Sequence, residues 1–184
     1  LSAAQIDPRI KAVVTSAMYD ISGANRDGWE HSASDEDRKQ RLAELAEQRW
    51  KDVDSGEAEV VRSFPEAPVT EIPDGLNPIG AEFFEFYGTE RGHHPRAIGG
   101  FTTNSWAAHI NFGALRSLED IAPRPILLVT GDQAHSRYFS EDAYAQATEP
   151  KELVVVPGAR HIDLYDRTDL IPFDKLVSFL GDSL

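Results

Sequence analysis

The sequence predicts an α/β fold: a parallel sheet flanked by helices and interrupted by a long helical insertion. Three observations carry this. Ile10 to Ala17, Pro125 to Thr130 and Glu152 to Pro157 are short, nearly continuous runs rich in Val, Ile and Leu. Such runs mark strands covered on both faces, as in a parallel sheet between helices. Helical patterns follow the second and third runs, which gives the strand–helix–strand–helix order of a βαβ unit. Between the first and second runs, residues 21–112 differ in character and read as an insertion between two strands of one sheet.

Taken in order, "LSAAQIDPRIKAVV" opens on Leu without a capping residue and reads as the tail of an amphipathic helix. Complete helices usually begin with Ser, Thr, Asp or Asn, so the expectation is a protein whose start lies upstream of Leu1. Residues Ser34 to Asp52 form a helix, with Ser34 and Asp37 at capping-box spacing and Leu42, Leu45, Ala46 and Trp50 as its apolar face. "SFPEAPVTEIPDGLNPIG" carries four prolines and reads as a loop. Phe83, Phe84, Phe86 and Tyr87 follow as a buried anchor. Ser140 to Glu149 is predicted helical with Ser140 as N-cap and acids in the first turn. Ile171 to Gly181 is predicted helical between Pro172 and Gly181, with Phe173, Leu176, Val177 and Leu180 as one stripe. A three-stranded sheet lacks the flanking strands that buried parallel strands need, which again points to a missing N-terminal half.

Composition bounds the function. The 184 residues are 41% apolar and 27% charged, enough for a core and unlike a disordered chain. No apolar run approaches the about 20 residues of a membrane helix. Absence of cysteine excludes disulfides, thiolate metal sites and a Cys nucleophile, and fits a reducing, cytoplasmic setting. The formal net charge of −13 makes nucleic acid and anionic membranes poor partners.

The chemistry concentrates in "VVVPGARHIDLYDR". In open α/β sheets, working residues sit just beyond the carboxyl ends of strands. His161 has that position after Glu152 to Pro157, and a neutral imidazole is a suitable general base near pH 7. A base of this kind needs a carboxylate to hold its tautomer. Asp132, directly after Gly131 at the end of the preceding strand, ranks first. Asp20, after the first strand, is the alternative acid. No Ser lies in a G-x-S-x-G strand-to-helix elbow, and chain order in such enzymes is Ser, acid, His. The nucleophile is therefore expected upstream of Leu1. "RGHHPR" is a basic knot whose Arg91, His94 and Arg96 could hold a substrate carboxylate or form a structural turn paired with nearby acids. Trp106, with Trp50, Phe84 and Phe112, could line an acyl pocket or belong to the core. His135 and Arg137 flank Asp132 and could shape the site. Adjacent His93 and His94 lack metal spacing, so no metal is expected.

"DPRIKAVVTSAMYD", "FYGTERGHHPRAI", the long stretch from Pro123 to Arg167 and "IPFDKLVSFL" resemble the C-terminal part of α/β-hydrolases of the bacterial YcjY-like and dienelactone-hydrolase-like group. The resemblance implies the C-terminal portion of an α/β-hydrolase fold. Residues 1–20 and 113–184 would be the hydrolase core, and residues 21–112 a helical lid. It implies serine-dependent, esterase-like hydrolysis of an ester, thioester, lactone or related acyl bond, with no cofactor. His161 would be the triad histidine. The partner would be the N-terminal portion of the same protein, and a homo-oligomer stays open. The sequence departs from the commoner pattern at Ala134, where many such hydrolases carry the acid; Asp132 and Asp20 both stay candidates. The rival expectation is a non-catalytic binding or assembly domain of the same fold that lacks the nucleophile.

Overall fold

The structure is a computed structural model that describes residues 1–97 and 99–183. In chain order its elements are α1 (Ser2–Ile6), β1 (Val13–Ser16), α2 (Ile21–Arg26), α3 (Asp35–Ser55), β2 (Val60–Val61), α4 (Pro78–Tyr87), β3 (Phe101–Thr102), α5 (Ser105–Phe112), β4 (Ile126–Gly131), α6 (Arg137–Gln146), β5 (Lys151–Val156), α7 (Asp163–Asp166) and α8 (Phe173–Ser183). The chain divides into two compact units, Leu1–Asp20 with Gly113–Leu184, and Ile21–Phe112.

The first unit holds a parallel sheet in the order β1-β4-β5, with Val14 opposite Leu127 and Leu127 opposite Glu152. Every residue of β4 is buried. Side chains alternate across a strand, so β4 feeds two cores. Ile126 and Leu128 pack with Ala4, Leu118, Ile121, Ala143 and Ala147 on one face. Leu127 and Val129 pack with Ala17, Val156, Ala159, Leu164 and Phe179 on the other. A strand buried on both faces reads as an unbroken apolar run, which is why "ILLVTG" is legible as a strand. Arg124, just before β4, ties the amino-terminal segment to it. Its guanidinium donates to the carbonyl oxygens of Ala4 (2.6 Å), Asp7 (2.8 Å) and Ile10 (3.1 Å). The Ala4 and Asp7 carbonyls lie at the end of the short α1, where helical partners are lacking.

The second unit is mainly helical, with β2 and β3 pairing antiparallel. Ser34 caps α3 in a reciprocal box with Asp37. At the far end of α3, Asp52 accepts from Gln48 (2.8 Å) and from the Glu59 N–H (3.1 Å), and also from Asn104. One carboxylate thus ties α3, β2 and the start of α5. Asn77 caps α4 by accepting from the Gly80 N–H at 2.8 Å, with Pro78 in the first turn. Phe84 is buried, and its ring and that of Tyr87 lie 6.2 and 5.0 Å from Phe64.

Several expectations need correction. The strand expected over Ile10 to Ala17 narrows to Val13–Ser16. Ser140 is no N-cap: α6 begins at Arg137, and Ser140 is buried on its inner face beside Phe139 and Ala143. The Pro-rich stretch ends in helix rather than loop, because proline is tolerated in a first turn. The stripe assigned to α8 splits in two. Leu176 and Phe179 face the core, while Phe173, Val177 and Leu180 are exposed, Val177 to 70%.

Candidate functional site

Because β1, β4 and β5 run parallel and adjacent, their carboxyl ends share one edge, where open α/β sheets place their working groups. Tyr19 and Asp20 follow β1, Asp132 follows β4, and His161 follows β5. The β4 and β5 ends are locked by the backbone. Asp132 donates its N–H to Val156 O (3.0 Å) and Gln133 to Ala159 O (3.1 Å). Gly158 turns the chain at φ +73, a left-handed conformation that favours glycine. Its N–H donates to the Asp132 carboxylate at 2.7 Å. Gly131 permits the approach, since a Cβ there would lie 1.9 Å from the Ala159 carbonyl oxygen.

The loop so fixed presents His161, which is fully buried, 0% exposed. Its Nδ1 lies 2.5 Å from Ser136 Oγ and its Nε2 lies 2.6 Å from the Tyr165 hydroxyl. Ser136 is also 0% exposed, whereas Tyr165 is 36% exposed. Aromatic rings lie around the imidazole, with His135 at 4.9 Å between centroids, Tyr165 at 5.2 Å and Tyr19, edge-on, at 6.0 Å. Burial pushes the Tyr19 phenol up from its ordinary value, so it stays neutral beside the imidazole at physiological pH. Below His161, the buried Asp163 carboxylate accepts the Arg160 N–H (3.0 Å) and pairs with the Arg160 guanidinium (3.2 Å). The segment on both sides of His161 is thereby tied to itself.

Ser136 occupies the N-cap of α6 yet makes no side-chain cap bond. Such a cap is worth about 1 kcal/mol. The hydroxyl instead faces His161.

The residues expected from sequence fall as follows. His161 stands where it was expected, beyond β5. Asp132 is one strand over, but the structure puts Ser136 rather than Asp132 within hydrogen-bond distance of Nδ1. Asp132 supports the loop through Gly158 instead. The reason is its register: it is the first residue after β4 and lies across from the 157–158 turn. Asp20 is partly buried and follows Tyr19, whose ring contacts His161. In the second unit, Arg91 pairs with Glu85 at 2.7 Å and lies over the Phe86 ring, which is the structural reading of the basic knot. His94 Nδ1 accepts the Arg96 N–H at 3.1 Å, and Arg96 itself is exposed. Trp106 packs edge-on against Phe101 (4.7 Å) and His109 (5.4 Å). Trp50 and Phe112 are exposed, at 67% and 56%, so they are not core. Among the described residues no group of three or more His, Cys, Asp or Glu could hold a metal ion. Sequence reading missed Ser136 and Tyr165. The available signal for Tyr165 was its spacing, four residues after His161.

No protein-family model matches the chain. The chain is 44% identical over 189 residues to the uncharacterised protein PA2218 of Pseudomonas aeruginosa, covering 100% of this chain and 49% of that protein. The crystal structure of the hypothetical protein PA2218 superposes with a TM-score of 0.90, over 100% of this chain and 56% of that one. The uncharacterised protein YcjY of Escherichia coli K12 is 34% identical over 166 residues, covering 90% of this chain and 53% of that protein. The crystal structure of the α/β hydrolase GrgF from Penicillium is 20% identical with a TM-score of 0.64, over 98% of this chain and 58% of that one. The chain thus spans about half the length of the curated relatives it matches. Its homologues are YcjY-like proteins, and its fold is α/β-hydrolase-like.

Proposed function

We propose that this chain is the base-bearing part of an α/β-hydrolase-like enzyme that cleaves an ester, thioester, lactone or related acyl bond. The observation that carries the reading is His161. It is fully buried at the carboxyl edge of a parallel sheet, with a hydroxyl at hydrogen-bond distance from each ring nitrogen. Hydroxyl-to-imidazole bonding at Nε2 is the geometry a general base needs.

In this reading the nucleophile is a serine of the parent protein outside these 184 residues, and the N-terminal portion of that protein is the chain's partner. The serine oxygen attacks the acyl carbonyl while its proton passes to Nε2, and the carbonyl π pair moves onto oxygen. Collapse of that intermediate expels the leaving group, which takes the proton from Nε2. Water repeats the sequence on the acyl-enzyme and restores the serine. Asp132 acts on the loop that carries His161, and Asp20 remains the carboxylate candidate for stabilising the imidazolium. Residues 21–112 supply a lid.

The test is labelling of the purified full-length parent with a fluorophosphonate serine probe, for wild type and His161→Ala. The expected outcome is labelled wild type, and loss of acyl turnover by about a thousandfold or more in the variant. An unlabelled parent supports the non-catalytic binding domain instead. Turnover surviving within about tenfold in His161→Ala removes the role given to that residue.

A further inference from the structure

Each ring nitrogen of His161 has a hydroxyl within hydrogen-bond distance, and a neutral imidazole has one N–H and one lone pair. Two arrangements satisfy both contacts. Either Nδ1–H donates to Ser136 and Nε2 accepts from Tyr165, or Nδ1 accepts from Ser136 and Nε2–H donates to Tyr165. The donors differ in strength. A phenol ionises near pH 10, far below an alkyl hydroxyl, so it is the stronger donor. The single lone pair therefore goes to the phenol at Nε2, and Nδ1 carries the proton toward Ser136.

A second observation points the same way. Ser136 sits at an N-cap and leaves the cap unmade, although serine is among the best capping residues. Its hydroxyl is turned from the helix end to the ring, inside a fully buried environment where a lost partner is costly. The contact to Nδ1 is what that rotamer gains.

We propose that Ser136 is the positioning residue of His161, holding the Nδ1–H tautomer so that the lone pair at Nε2 faces the Tyr165 hydroxyl. The consequence for catalysis rests on the function proposed above; the tautomer does not. A hydroxyl fixes the ring by geometry alone. It adds no charge beside the imidazole, unlike the carboxylate expected at that place, so tautomer and charge stabilisation fall to separate residues.

The experiment is long-range proton–nitrogen spectroscopy of the 184-residue chain with 15N-labelled histidine, at about pH 8, above the ordinary imidazole range. Wild type, Ser136→Ala and Ser136→Thr are compared. The expected wild-type spectrum shows His161 with a protonated Nδ1 and an unprotonated Nε2. Ser136→Thr keeps that pattern, and Ser136→Ala shifts it toward a mixture of tautomers. A wild-type proton on Nε2 overturns the proposal, and so does a Ser136→Ala spectrum unchanged from wild type. Should the Ala variant fail to fold, the wild-type tautomer still decides. In the full-length parent, Ser136→Ala is expected to lower kcat by about tenfold or more with KM unmoved, and Ser136→Thr to restore it. A parent that never labels with fluorophosphonate but shows the Nδ1–H tautomer sinks the hydrolase reading and leaves this one standing.

Discussion

Two single atoms decide how His161 is held and used. The first is the hydrogen that stands in place of a Cβ at Gly131. An added methyl would sit 1.9 Å from Ala159 O, and backbone cannot give way as a flexible side chain does. Gly131→Ala is therefore expected to part the β4 end from the loop that carries His161. A loss of about 3 kcal/mol or more should appear in the urea midpoint. An unchanged midpoint would mean that the loop rearranges freely, against the backbone bonds recorded there. The second atom is the Tyr165 hydroxyl, 2.6 Å from Nε2. In the proposed enzyme it occupies the position the nucleophile's hydroxyl must take. A net hydrogen bond of about 0.5–1.5 kcal/mol is to be broken first. Tyr165→Phe in the parent should then speed fluorophosphonate labelling by about two- to tenfold. A slower rate would show that the phenol assists the base instead of competing for it.

Secondary-structure elements show what a sequence can announce. The α3 start was legible because its signal is local: Ser34 and Asp37 each bond the other's backbone, and three residues of spacing suffice to see it. That box also gives a pH dependence. The Ser34 hydroxyl, and then the Ser34 N–H, hold the Asp37 carboxyl below its ordinary value. A depressed carboxylate stabilises the fold above its unfolded-state pKa, and the contribution is lost as pH falls through the lowered folded value. Ser34→Ala should destabilise the fold at neutral pH, and the gap to wild type should narrow in acid as the carboxylate half of the box is lost, as read by chemical denaturation at several pH values. A gap independent of pH would assign the loss to the bond that Ser34 Oγ accepts from the Asp37 N–H, which no proton affects. β4 and β5 were legible within a residue, since burial on both faces leaves an apolar run. The α6 start was not. Ser140 is followed by Glu141 and Asp142 and so looks like an N-cap, whereas Ser136 at the actual start has no acid within three residues and turns its hydroxyl to His161, twenty-five residues away. The α8 stripe was blurred for a similar reason: apolar residues lie on both its faces, and periodicity alone cannot say which face is covered. The partner of Nδ1 was missed because triad logic looks for a carboxylate, and a hydroxyl at a helix start looks like an ordinary cap.

At the scale of the whole chain, two opposing tendencies govern association. The formal net charge of −13 drives copies apart. Against it stand an open strand edge and an apolar patch of the first unit. Among the described residues β1 is paired on one side only, by β4. Its span, Val13–Ser16, has no charge and no proline to guard the open edge. β5, the other outer strand, carries Lys151 and Glu152. The exposed Phe173, Val177 and Leu180 of α8 form the second surface. Repulsion between net charges is screened within about 8 Å at physiological ionic strength, whereas edge pairing and apolar contact are not weakened by salt. Self-association of the 184-residue chain should therefore increase with salt in sedimentation velocity. Ser16→Lys and Val177→Lys separate the causes. Both substitutions make the chain less acidic, so association controlled by charge alone would rise in each. If the edge or the stripe makes the contact, the corresponding variant associates less despite its weaker repulsion. A chain that stays monomeric at every salt concentration would show that neither surface recruits a second copy.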